Sequence, residues 1–102
     1  MIIYVDIDET ICYRENKDKL EYKKAKPYKD RIEKINKLYK EGNTVVYWTA
    51  RGTGSGKYLL PLCYKQLTDW GCLFHGVKIN KPIYDLFIDD KNINSDDYFK
   101  NN

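Results

Sequence analysis

The sequence predicts an α/β domain organised around a short parallel sheet, and three observations lead there. Short runs of β-branched and aromatic residues alternate with segments whose apolar residues fall at helical spacing. The runs are apolar almost throughout, as in strands buried on both faces. Acids, hydroxyls and lysines gather immediately after the runs, at the carboxyl ends of the strands, where open α/β sheets hold their ligand crevice.

Residues 2–7, IIYVDI, form the first expected strand. From Glu9 to Lys26 the pattern turns polar and irregular, which suggests a hairpin or flap outside the core. Pro27 fits a first helical turn, Ile32, Ile35, Leu38 and Tyr39 follow at helical spacing, and Gly42 ends that helix. TVVYWT, residues 44–49, is the second strand, followed by a loop with glycines at 52, 54 and 56. The next helix would turn Leu59, Leu62, Cys63, Leu67 and Trp70 inward, with Pro61 in its first turn and Gly71 closing it. A third short strand is expected within residues 74–79 and a fourth at LFID, residues 86–89. Trp48 and Trp70 are expected in the core.

A chain of 102 residues holds a single core, so one domain spanning 1–102 is expected. No stretch approaches the length of a membrane span, and MIIYV lacks the basic and long apolar regions of a signal peptide, so the expected location is the cytoplasm. Cys12, Cys63 and Cys72 form no CxxC pair and are odd in number, which fits reduced thiols in that compartment. Residues 13–40 carry eleven Lys/Arg against five Asp/Glu. That excess would attract an anionic substrate or nucleic acid, although interspersed acids also fit a solvated helix face and loop.

The chemistry rests on the residues at the strand ends. Asp6 and Asp8 are one residue apart, so an extended backbone points both carboxylates to one side. Thr10 comes next, Thr49 and Arg51 end the second strand, Lys78 and Lys81 come after the third, and Asp89 and Asp90 end the fourth. Clustered carboxylates need protons or a cation to compensate them. Hard oxygen ligands with room for water suit Mg²⁺ bound together with a substrate phosphate. A carboxylate beside such an ion can attack phosphorus, and a second can move protons. Threonine, lysine and the cation would stabilise the phosphoryl charge.

VDIDET resembles the DxDxT signature of the haloacid-dehalogenase-like (HAD) phosphohydrolases, and VVYWT resembles their second motif, a hydrophobic strand ending in Thr or Ser. Lys81, in NKP, stands where their third-motif lysine is expected, and LFIDD is similar to the fourth motif. Within the superfamily the chain is most similar to the small capsule-biosynthesis phosphatase-like proteins, which share the AKP segment and a KP…DDK…F ending. The resemblance implies a three-layer Rossmann-like core with helices on both faces of the sheet. It further implies a β-hairpin flap at approximately 9–27 and no cap domain. It implies an aspartyl-phosphate mechanism with Asp6 as nucleophile and metal ligand. Asp8 would be the general acid–base and bind the metal through its carbonyl. Thr49 and Lys81 would hold the phosphoryl group, with Ala50 and Arg51 beside it, and Thr10 would brace the first loop. Asp89 and Asp90 would complete a Mg²⁺ site, either one touching the ion.

The resemblance also implies a small phosphorylated substrate, a sugar phosphate of surface-polysaccharide synthesis being favoured, and a capless site that either admits large or polymeric substrates or is closed by neighbouring subunits of a homo-oligomer. Glu9 stands where a glycine is common, and Lys78 is a rival to Lys81. Arg51 suits either a substrate anion or a structural ion pair with a loop acid. Lys57 suits substrate contact or solvent, and the segment from Tyr13 to Lys26 is the expected specificity element. His75 lacks a metal-ligand companion and reads as a surface or loop residue. The competing functions are a phosphatase of nucleotide or nucleic-acid ends, a catalytically silent binding module, and a P-loop protein. The last fails on spacing: three residues, not four, separate Gly52 from Gly56, and Tyr58 comes after Lys57 where Ser or Thr is required.

Overall fold

The computed structural model describes residues 1–16 and 21–100. The element order is β1 (Ile2–Val5), β2 (Cys12–Tyr13), a 3₁₀ turn (Tyr22–Lys24), β3 (Lys26–Pro27), α1 (Lys29–Lys40), β4 (Thr44–Trp48), α2 (Leu60–Asp69), β5 (Gly76–Lys78) and α3 (Ser95–Phe99). β1, β4 and β5 form a three-stranded parallel sheet in that order. β2 and β3 pair antiparallel as the flap hairpin, and positions 17–20 of the expected flap lie outside the described residues.

Strand register explains the core. Ile3 pairs with Val45 and Val5 with Tyr47, so these side chains share one face of the sheet. Val45 and Tyr47 are fully buried there against Ile32 and Ile35 of α1 and Cys63 and Leu67 of α2. The alternate residues, Ile2 and Tyr4, are exposed, and Val46 and Trp48 are half-buried. Both long helices therefore join a single core on one face of the sheet. Helices on both faces, expected from the resemblance, are not found among the described residues: successive parallel crossovers advance in one direction from β1 to β4 to β5, which puts both connecting helices on the same side. Trp48 and Trp70 are half-buried rather than central, and Tyr47 fills the core position instead.

The helices start and stop where local chemistry requires. Pro27 belongs to β3, paired with Cys12, so α1 begins two residues later than the proline predicts. Pro61 does fall in the first turn of α2, where its missing N–H costs nothing. Gly42 and Gly71 follow the two helices with φ of +99° and +78°, the left-handed conformation that ends helices and favours glycine. α3 has no counterpart among the sequence expectations. Its signal is the Asn94 side chain, which accepts from the Asp96 amide at 2.9 Å ahead of acids in the first turn.

The expected fourth strand does not form. Leu86 and Ile88 are 74% and 86% exposed, and the segment pairs with no strand among the described residues. Three apolar residues between Asp85 and Asp89 provide strand propensity, but propensity supplies no partner, and the ladder bonds that would hold the run are unmade.

Candidate active site

The first loop is built around two buried isoleucines. Ile7 and Ile11 anchor it in the core, and the Ile7 carbonyl accepts from the amides of Thr10 and Ile11 at 3.2 and 3.0 Å. The turn holds Glu9 at φ +61°, in the left-handed region that favours glycine. Arg31 of α1 donates to the Thr10 carbonyl at 3.1 Å and pairs with Asp96 of α3 at 3.0 Å. Ser95 donates to the Glu9 carbonyl at 3.2 Å, so α3 and Arg31 together brace this loop.

Asp6 and Asp8 emerge from the loop with different partners. Lys81 places its Nζ 3.7 Å from Asp6 Oδ1. Asn80, at φ +66°, turns the chain after β5, and the Lys81 amide donates to the Thr49 carbonyl at 3.1 Å, which fixes the lysine beside the strand ends. Burial raises the pKa of the Asp6 carboxyl, partly countered by Lys81 and a hydrogen bond from the Ile7 backbone, with Asp8 adding to the rise. Lys78 points elsewhere, donating to the Tyr4 hydroxyl at 2.8 Å on the open face of the sheet.

Asp8 is clamped by Arg51. Arg51 Nε donates to Asp8 Oδ2 and Nη2 to Oδ1, each at 2.8 Å, in a bidentate pair. The fork is otherwise occupied: Nη1 donates to Gln66 Oε1, and the thiols of Cys12 and Cys63 each lie 3.9 Å from a terminal nitrogen. The Tyr22 ring covers the guanidinium at 4.8 Å, and Gln66 Nε2 donates to the Tyr22 carbonyl at 2.6 Å. Burial opposes the Arg51 charge, but the Asp8 bonds outweigh it and hold the guanidinium above its ordinary pKa. Burial pushes the Cys12 thiol up strongly and the Cys63 thiol up as well, so neither behaves as a ready thiolate.

Arg51 is thus an internal ion-pair residue, buried, with its five donors turned inward. Thr49 is 1% exposed, and its hydroxyl accepts from the Arg51 amide at 3.1 Å. Ala50 is half-buried between them. The site therefore unites Asp6, Asp8, Thr49, Ala50, Arg51 and Lys81, with Thr10 in the supporting turn. Asp89 and Asp90 stand apart on an exposed segment, where a hydrogen bond from Asp90 holds Asp89 below the ordinary carboxylate range.

Among the described residues no three His, Cys, Asp or Glu side chains converge to hold a metal ion. Asp8 has both oxygens on Arg51, and Asp89 and Asp90 are not beside Asp6, so the donor set falls short of the Mg²⁺ site expected from the sequence. Gln66 and Tyr22 are site residues that the sequence pattern did not single out. Gln66 had a signal, a polar residue within the otherwise apolar inner stripe of α2, whereas Tyr22 had none. His75 occupies a structural place: its Nδ1 accepts from the Val45 amide at 3.1 Å and its ring stacks on Tyr39 at 4.6 Å.

The glycine loop folds back on itself. Gly52, at φ +85°, accepts from the Gly56 amide at 2.8 Å, and a Cβ on Gly52 would lie 2.2 Å from the Lys57 carbonyl oxygen. Its amides therefore close a turn, which leaves the loop as a wall beside Thr49 and Arg51.

No family model matches the chain, and no curated protein matches it. The crystal structure of a target protein from Vibrio cholerae matches with a TM-score of 0.82 at 20% identity, over 95% of this chain and 85% of that one. The likeness is one of fold. No helix among the described residues is long and apolar enough to cross a membrane.

Proposed function

We propose that this chain is a phosphomonoester hydrolase of HAD type, acting on a small phosphorylated metabolite through an aspartyl-phosphate. The observation that carries the reading is the pair of carboxylates after β1 with Lys81 3.7 Å from Asp6. A carboxylate, a proton-moving partner and a cation for the phosphoryl oxygens are the parts that this chemistry needs.

Asp6 attacks phosphorus through a carboxylate oxygen, an acyl-phosphate bond forms, and the bond to the leaving oxygen breaks. Asp8 gives its proton to that oxygen. Asp8 then takes a proton from water, whose oxygen attacks phosphorus and releases inorganic phosphate and the free Asp6 carboxylate. Lys81 holds the phosphoryl oxygens throughout, and the Thr49 hydroxyl is the further donor assigned to them. Both Asp8 oxygens accept from Arg51, so passing a proton to the leaving oxygen requires part of that clamp to be released.

Mg²⁺ belongs to the same proposal, and when bound it would neutralise charge on the phosphoryl oxygens. Among the described residues the carboxylates do not converge on such an ion, and Asp6, beside Lys81, would have to hold it together with the substrate phosphate. A sugar phosphate of surface-polysaccharide synthesis remains the favoured substrate, the cytoplasm the favoured location, and a homo-oligomer the device that would close a site with no cap domain.

The test is turnover of p-nitrophenyl phosphate and a sugar-phosphate panel with and without Mg²⁺, in the wild type and in Asp6→Asn. Hydrolysis abolished by the substitution supports the reading. Undiminished hydrolysis in Asp6→Asn removes it.

A further inference from the structure

A second concavity, of about 710 Å³, opens between the flap and the glycine loop. Neither Asp6 nor Asp8 lines it, but it meets their site twice. Ala50 and Gly52, which flank Arg51 in sequence, form part of its wall. Tyr22 lines it too, with the ring that covers the Arg51 guanidinium. The cavity therefore shares Tyr22, Ala50 and Gly52 with the surroundings of the Asp8–Arg51 pair.

Its lining has two chemistries. Leu59, Leu62 and Ile83 contribute apolar surface, while Lys23, Lys24 and Lys57 contribute cations. Glu21 is the one acid of the lining, and it is 3.2 Å from Lys24. Lys23 and Lys57 have no ion-pair partner among the described residues, and they come from opposite walls, one from the flap and one from the glycine loop. Both lysines are exposed and, among the described residues, unpaired on the lining of one cavity, so each is open to an anion that enters it. The volume is within the range that takes a small organic ligand, and an apolar floor with a few placed charges is the usual make-up of such a site.

We infer that this cavity receives the leaving-group end of the substrate, and that the leaving group carries a second anionic group, a phosphate or carboxylate, which Lys23 and Lys57 hold while its carbon skeleton lies on Leu59, Leu62 and Ile83. The inference rests on the phosphatase reading for the reacting end of the substrate, and it narrows the substrate class to phosphomonoesters with a further anion. The flap supplies Lys23 and Tyr22, so specificity and the covering of Arg51 come from the same segment.

The test compares substrates that differ by one phosphate: glucose 6-phosphate with glucose 1,6-bisphosphate, and adenosine 5′-monophosphate with adenosine 3′,5′-bisphosphate. Each is measured by calorimetric binding and by kcat/KM. The expected result is a preference for the bisphosphate of about tenfold or more, the scale of one charge-assisted contact. The preference should fall towards one in the double variant Lys23→Met/Lys57→Met and persist in Lys65→Met, whose lysine lies outside the cavity and pairs with Asp69. Equal binding of mono- and bisphosphate by the wild type, or an unchanged preference in the double variant, overturns the inference. If no ester is hydrolysed the phosphatase reading fails, and the binding ratio still decides the cavity's role.

Discussion

Arg51 holds both carboxylate oxygens of Asp8 at 2.8 Å, across 43 residues of sequence. The residue assigned to proton transfer is thereby fixed in position by a buried cation that is itself covered by Tyr22 and tied to Gln66. In the proposed reaction Arg51 would act through Asp8, by holding it in place.

Arg51→Met should lower stability by about 3–5 kcal/mol, because it strands a carboxylate that was paired within the protein. Urea unfolding at neutral pH measures this, and a loss under about 1 kcal/mol would contradict a buried pair. Arg51→Lys keeps the charge but not the fork, so the expected signature is a lower kcat with a displaced pH profile while KM changes little.

Asp6→Asn should abolish turnover and also stabilise the fold at neutral pH. The folded pKa of Asp6 is raised above its unfolded value, chiefly by burial. Its contribution is fully present below the ordinary carboxylate pKa and is lost as pH rises through the raised folded value. The asparagine variant should therefore exceed the wild type in Tm at pH 7, with the gap closing as pH falls from the raised folded value to the ordinary carboxylate value. A gap that widens on acidification would show the opposite shift.

Glu9→Gly should stabilise the protein. A non-glycine residue at φ +61° costs on the order of 1 kcal/mol, and the greater freedom of glycine in the unfolded chain returns part of the gain. The net expectation is about 0.5 kcal/mol, or a few degrees of Tm in a domain of this size. A lower Tm would mean that the Glu9 side chain supplies more than its backbone costs.

Gly52→Ala should do the reverse, by about 1–3 kcal/mol. Its Cβ would meet the Lys57 carbonyl at 2.2 Å, and φ is +85°. The loop would have to unfold locally, so the bisphosphate preference should fall together with Tm. By contrast, a Cβ on Gly54 meets only the Ile83 Cδ1, at 3.0 Å, and Gly54→Ala should cost less in both measurements.

The sheet and the two long helices were legible because each depends on a local pattern that also finds a partner. IIYV and TVVYW pair with each other, and the Ile32/Ile35 and Cys63/Leu67 stripes meet the face those strands present. LFID carries a similar pattern without a partner, and there the sequence expectation failed. The gathering of Asp6, Asp8, Thr49 and Lys81 was legible from strand ends alone. Arg51 had two readings, and only tertiary distance selects the ion pair, since nothing within a few residues of Arg51 names Asp8, Gln66 or Tyr22. Helices on one face only are a result of strand order, which a single sequence does not specify.

Tyr22 lays its ring on Arg51 and gives its carbonyl to Gln66, so a flap residue closes the shell around the proton-transfer group. Displacing Tyr22 as the flap opens would uncover Arg51 and break the Gln66 bond, so on the proposed mechanism the alignment of Asp8 depends on the flap while the sheet does not. The amides of Lys24 and Ala25, bonded to the carbonyls of Glu21 and Tyr22 at 3.0 and 3.1 Å, would report that opening by hydrogen exchange. Faster exchange there in Tyr22→Ala, with β4 unchanged, would mark the flap as the least stable cooperative unit of the domain and the one on which its chemistry depends.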